Sequence, residues 1–427
     1  MQAGLAVAQD DAPEAVAETE AAVTEAAAET EAAVTEAVAE TVAEDEAAAE
    51  AETVAETAAE ATETLEPIAP ETIPTILTLP KDYPATWFFA HDLNFNNMLD
   101  GRLVILDAAA ETRNYKGALP SGMAGGFAHS AARGELYISE TIHEMRVRGP
   151  RKDYLIVYDS ETLEPKADIE IPPKRWQGLP ADGNLALTND DQFALVYNFT
   201  PASSVTVVDL DSREVVSEVP IPGCSMIYPI GERGFSTICG DGGLITVTLD
   251  EAGAVASETP TPSFIDIDDD AMMIMGAESG GVLYFPTFQG HLQPVDLSGD
   301  TPAVSEKFSI VPEAEKEKNW RPGGWQLVAS DADGLVYVLM HEGGKEGTHK
   351  DPGAHVWAIS PETKARERVL ELATPAISIA ITPSEPQLLL ATNINFAIDV
   401  YDLASGELQR TLGGAAAAPF ALYTASQ

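Results

Sequence analysis

Residues 154–165 read YLIVYDSETLEP: five aliphatic or aromatic residues, an aspartate, a short polar turn, then the start of a second extended run. Side chains of the first kind favour a pleated strand, and Asp, Ser, Glu and Thr favour the turn that follows it. The pattern recurs from Leu103 (LVILDAAAET), Ser204 (SVTVVDLDSREV), Leu244 (LITVTLDEAGAV), Leu292 (LQPVDLSGDTPAV), His355 (HVWAISPETKAR) and Ala397 (AIDVYDLASGEL). With Asp107, Asp159, Asp209, Thr248, Asp296, Ser360 and Asp402 as anchors, the steps are 52, 50, 39, 48, 64 and 42 residues. A lone hairpin is marginal in water and must stack to survive. A repeat of roughly 40 to 50 residues built from short strands marks a ring of small sheets. The sequence therefore predicts an all-β fold, a seven-bladed β-propeller over residues 86–427.

Partner strands precede each copy, among them WFFAHDL (Trp87 to Leu93) before the first and GELYISE, QFALVYN and GFSTICG before later ones. A third, inner run such as LALT at Leu185 or SIAIT at Ser378 brings most blades to four strands. Ring closure calls for a strand from one terminus to complete the sheet begun at the other, since an unpaired edge invites aggregation. Pro419 to Tyr423 (PFALY) is the candidate.

The chain has 427 residues and a formal net charge of −45, from 69 acidic and 24 basic residues. That balance argues against nucleic acid, whose phosphates require clustered Lys and Arg. No apolar run is long enough for a membrane span. Residues 1–9 (MQAGLAVAQ) resemble the end of an export signal, with Ala6 and Ala8 in an A-x-A arrangement. Residues 10–66 hold 19 acidic residues and no Lys or Arg, with an 11-residue duplication beginning ETEAAVTEA. Without a Leu stripe to bury or a cation to offset Glu, this acidic N-terminal arm is expected to be disordered or transiently helical. Residues 67–85, containing Pro67, Pro70 and Pro74, are read as a linker.

Cys224 and Cys239 flank a turn-like segment at facing strand positions, so either a hairpin disulfide or two buried thiols fits. The seven histidines lack zinc spacing, and no metal site is expected. Asp266, Asp268, Asp269 and Asp270 lack the glycine and terminal Glu of a calcium loop and read as a solvated connection. No nucleophile triad or phosphate loop stands out. The residue chemistry is that of a platform without catalytic residues of its own.

Four segments go further: 148–179 (RGPRKDYLIVYD and onward), 223–253 (GCSMIYPIGERGFSTICGDGG and onward), 318–329 (KNWRPGGWQLVA) and 340–350 (MHEGGKEGTHK). Together they resemble the heavy chain of tryptophan tryptophylquinone amine dehydrogenases. The likeness is closer to aromatic amine dehydrogenase, while NWRPGGWQ is also similar to methylamine dehydrogenase. The resemblance implies a periplasmic assembly of two heavy and two light subunits that oxidises primary amines, here aromatic ones, to aldehyde and ammonia. It places the tryptophan tryptophylquinone on a small cysteine-rich light subunit and passes electrons to a blue-copper acceptor of azurin or amicyanin type. It also pairs Cys224 with Cys239. A heavy-chain side chain just before an Arg-Gly turn lines substrate entry in this family, which here implies Ile142, His143 and Glu144. Trp320, Arg321 and Trp325, around a Pro-Gly-Gly turn, are read as an interface knob or as core packing. The rival classes are a free-standing binding propeller and a hydrolytic propeller with a metal in its central channel.

Overall fold

The computed structural model describes residues 78–424, so the export-signal likeness, the acidic arm and most of the linker lie outside the described residues. Within them the chain is a β-propeller with only four short 3-10 turns.

Each sheet follows the repeat. The second joins Gly126–Ser130, Glu135–His143, Arg151–Asp159 and Pro165–Ile171 in sequence order. The third joins Leu185–Leu187, Phe193–Asn198, Ser204–Asp209 and Glu214–Pro220, and the fourth runs from Cys224–Ile230 to Val255–Thr261. The fifth has five strands, from Ala277–Ser279 to Phe308–Ser309. In the first sheet, Trp87–Asp92 lies between Arg102–Asp107 and the C-terminal strand Pro419–Thr424, with Phe89 opposite Tyr423. PFALY is thus the closing strand.

The expectation of seven separate sheets needs correction: five blades stand alone, and the remaining strands form one eight-stranded sheet. The cause is Ala365–Ile381, a strand of 17 residues. Its first part pairs with Gly353–Ser360 and its last part with Leu388–Asn393. Pro375 lies within it at a position that no strand partner opposes, so its missing N–H breaks no ladder bond.

The apolar runs are continuous because both faces of each sheet are covered. Leu103 and Ile105 pack toward the second sheet with Phe127 and Ile138. Val104 and Leu106 pack the other way, against Leu390 and Val400. Successive side chains on a strand point to opposite faces, so one run serves two neighbours.

The anchors of the repeat have a local reason. The Asp159 carboxylate accepts the backbone N–H groups of Glu161 and Thr162; Asp209 does the same for Asp211 and Ser212. Asp402 accepts the Ser405 N–H, and at the substituted position the Ser360 hydroxyl accepts that of Thr363. Beside Thr248 the task moves two residues on, where Asp250 accepts the N–H groups of Ala252 and Ala254. These are Asx-type turns, which hold the hairpin at its bend.

Cys224 and Cys239 face each other across the first hairpin of the fourth sheet and form a disulfide, with Cα atoms 3.9 Å apart.

Candidate functional site

Strand direction alternates within each sheet. The hairpin between second and third strands and the crossing to the next blade therefore emerge at the same end of the ring. Among the described residues, exposed large apolar side chains fall into two sets. Tyr115, Val215, Val216, Val255, Val369 and Leu408 sit on outermost strands. The others, Phe95, Ile142, Met145, Val147, Phe199, Ile267 and Ile394, all lie at that one end, Ile142 near the end of the strand Glu135–His143 and the rest in loops. Phe95 is the centre of an aromatic patch, 5.9 Å from the partly buried Phe396 and 5.7 Å from the partly buried Phe420. An apolar surface confined to one end marks a place of contact.

The most prominent loop carries Ile142, His143 and Glu144. Its strands pair as far as Ile142 opposite Lys152 and His143 opposite Arg151. The inner neighbour stops at Ser139, and the outer one at Asp153. Residues 142–151 thus project beyond their own blade. Ile142 is 46%, Met145 55% and Val147 65% exposed. The tip turns through Arg146 and Gly149, both at positive φ, and Nδ1 of His143 lies 3.3 Å from the Gly149 carbonyl oxygen. Arg146 and Arg148 have no carboxylate partner among the described residues, so this prong is basic on a strongly acidic chain.

Its base is rigid. Buried Asp153 accepts from Thr141 Oγ1 at 2.7 Å, from Arg151 at 2.8 and 2.7 Å, and from the Arg175 N–H at 3.0 Å. The Arg175 side chain, also buried, donates to the carbonyls of Met123, Ala124 and Trp176. Burial pulls its guanidinium down to about 10. Met123 and Ala124 both have positive φ, so Arg175 holds a bent crossing in place.

The tryptophan motif divides. Trp320 is buried, its ring 5.0 Å from His355 and 4.9 Å from Trp357. Arg321 is partly buried, over the Phe288 ring at 5.7 Å. Trp325 is half-buried at the loop-bearing end; its indole donates to the Pro180 carbonyl at 2.6 Å, and its ring lies 5.8 Å from Phe420. The structure thus puts Trp325 beside the apolar patch and Trp320 in the core.

The central channel is a cavity of about 760 Å³ lined by the inner strand of every blade. Its ionisable lining is four carboxylates and a histidine, without Lys or Arg. Asp191 accepts from Ser130, Asp331 from Tyr337, and Glu278 from the Gly281 N–H, so three of the four face their own partners. Asp182 is exposed to the channel but ringed by protein, and that burial lifts its carboxyl to about 6. No group of three or more His, Cys, Asp or Glu among the described residues is placed to hold a metal ion. In the acidic loop, Asp270 is buried and accepts from Lys307 and the Gln289 N–H, which makes it a structural anchor of the fifth sheet.

Sequence reading missed Phe95, Phe199 and Ile394. The available signal was an apolar residue beside Asn at a turn: NFN at 94–96, NFT at 198–200 and NIN at 393–395.

Comparison with known proteins gives one family. Residues 111–426 match the family described as methylamine dehydrogenase heavy chain (MADH). The methylamine dehydrogenase heavy chain of Methylobacillus flagellatus is 32% identical over 246 residues, 57% of this chain and 61% of that one. Those of Methylophilus methylotrophus (28% over 295 residues, 68% and 72%) and Paracoccus versutus (32% over 279 residues, 64% and 65%) are similar. The chain thus spans under two thirds of the length of two of these relatives. A candidate 6-phosphogluconolactonase from Bacteroides fragilis superposes with a TM-score of 0.53 at 11% identity, over 79% of this chain and 96% of that one, which bears on the fold alone.

Proposed function

This chain belongs to the methylamine dehydrogenase heavy chain family, and on that premise we propose that it is the heavy subunit of a quinone-dependent amine dehydrogenase. Its partner is a small cysteine-rich light subunit that carries the tryptophan tryptophylquinone. The observation that carries the reading is the confinement of exposed apolar loop residues, with Phe95, Phe199 and Ile394 among them, to one end of the ring. That end is the surface on which the light subunit sits. The quinone supplies the electron acceptor for oxidation of a primary amine to aldehyde and ammonia. This chain's residues hold the partner, exclude water and shape the entrance.

Within that reading the prong of residues 142–151 reaches over the partner, and Ile142, His143 and Glu144 line the approach of substrate. Ile142 is smaller than an aromatic side chain and leaves room for an aryl amine, so aromatic amines are the proposed substrates. The Cys224–Cys239 disulfide fits an oxidising compartment, here the periplasm. A blue-copper protein is the proposed acceptor, docking across both subunits of a two-heavy, two-light assembly.

The experiment is purification of this chain from its native host. A short quinone-bearing chain should come with it, and the complex should reduce a dye with amine. Recovery of this chain alone, without quinone absorbance in any fraction, overturns the assignment and favours the free-standing binding propeller.

A further inference from the structure

A second cavity, of about 400 Å³, opens at the loop-bearing end, formed by the crossing that precedes Ala277–Ser279 and by loops of the next blade. Its walls are Met272, Met273, Met275, Phe288 and Trp325. Its rim carries the carboxylates of Asp268, Asp269 and Glu346 against the single ammonium of Lys350, with His349 beside it. None of these three carboxylates nor Lys350 has an ion-pair partner among the described residues, so the mouth is uncompensated and negative. Trp325 is a fixed wall: its indole N–H is held by the Pro180 carbonyl at 2.6 Å and its backbone N–H by that of Ile377 at 2.6 Å. Gly324 before it has φ of +120°, and a Cβ there would lie 2.6 Å from the Ile377 oxygen. Methionine is the adaptable part, since its unbranched, polarizable side chain fits itself to a ring.

We propose that this cavity binds a small organic ammonium ion with an apolar body, of the arylalkylammonium kind. Its volume falls in the range of pockets that enclose a small molecule. The ring would lie against methionine and aromatic walls while the ammonium meets the rim carboxylates, with an aromatic face nearby as a second attraction for the cation. A neutral molecule of the same shape gains only the walls, and an anion is opposed by the rim. The proposal rests on the amine dehydrogenase reading, to which it adds a collecting site on the heavy chain itself.

The test uses the full chain free of its partner and 4-fluorobenzylamine as probe, followed by fluorine NMR and calorimetry. Expected is saturable one-to-one binding, about tenfold weaker for 4-fluorobenzyl alcohol and about tenfold weaker for the amine in Asp268→Asn/Glu346→Gln, the equivalent of one lost charge contact. Ala271→Trp, at an exposed position on the lining, should abolish binding while leaving the melting temperature unchanged. Equal affinity for the alcohol, indifference to both variants, or no saturation by about 10 mM, roughly tenfold beyond a millimolar Kd, overturns the proposal. So does release of the light subunit by Ala271→Trp in the assembled complex with no loss of amine binding in the free chain, because the cavity then receives a protein side chain. Amine binding in a chain that recovers no quinone partner would leave this site standing and remove only the functional reading.

Discussion

Arg213, in the last hairpin of the third sheet, reaches into the second sheet and donates to Glu135 at 2.5 Å. Glu135 is almost wholly buried and also receives Lys166 at 2.8 Å and the Tyr137 hydroxyl at 2.6 Å. Burial alone would push this carboxyl up, but the bonds from Arg213, Lys166 and Tyr137 outweigh it and hold it at about 2. The pair ties two blades together at the end opposite the prong.

The pH dependence follows from that depressed value. An unfolded glutamate titrates near 4.5, so the stabilisation is whole above about pH 5 and is lost as pH falls toward 2. Thermal melts between pH 7 and 2 should show the loss. Glu135→Gln should cost about 2 kcal/mol at pH 7 and flatten the acid limb, because it leaves partly exposed cations without their carboxylate. A variant as acid-sensitive as the parent would remove Glu135 from the account.

Asp182 has the opposite sign. Its folded carboxyl is raised to about 6 against an ordinary 3.8, so the folded chain loses stability as pH rises through that interval. Asp182→Asn should therefore raise the melting temperature at pH 8 and leave it nearly unchanged at pH 4. Equal shifts at both values would show that the channel solvates the carboxylate fully.

Opening the Cys224–Cys239 bond frees a loop of 15 residues. Chain entropy assigns such a loop about 3 kcal/mol, so Cys224→Ala/Cys239→Ala should lower the denaturant midpoint by a corresponding amount. Reductant should shift the parent and leave the double variant where it is.

At the prong, Ile142→Phe adds bulk to a side chain that is 46% exposed in this chain. In the assembled complex it should change the ratio of kcat/KM for methylamine and benzylamine by about tenfold, the scale of a steric change in an apolar pocket. Subunit recovery should not change. Ratios equal to those of the parent would place Ile142 away from substrate.

Phe95 is the centre of the aromatic patch, and Ile394 is exposed in another loop at the same end. Phe95→Glu/Ile394→Glu should reduce light-subunit recovery at least tenfold, as expected when central apolar anchors are lost. Tyr115→Glu, on an outermost strand, should leave recovery intact. Equal loss in both would point to general destabilisation.

Much of this molecule is local enough to read along the chain. YLIVYDSETLEP encodes a strand and its turn because alternating side chains fill two inter-blade faces and Asp159 caps the bend with two backbone bonds. PFALY was legible as a closing strand for the same reason, an apolar run with an unpaired edge to fill. The pairing of Cys224 with Cys239 is a hairpin register, a short-range relation. The merging of the last blades was not legible, because SIAIT reads as a fresh inner strand and nothing in ATPAISI announces that the backbone stays extended through Pro375.

The sequence by itself determined the repeat, the turns, the covered faces and the acidic balance, since each depends on residues a few positions apart. Only the tertiary structure decided which end of the ring carries the exposed apolar loop residues. Phe95, Ile142, Phe199 and Ile394 lie far apart in the chain, and it is the common strand direction in every blade that brings their loops to one end. It also separated Trp320, packed on Trp357, from Trp325, which walls a cavity five residues later. Burial is set by what folds over a side chain, and that cover comes from distant sequence.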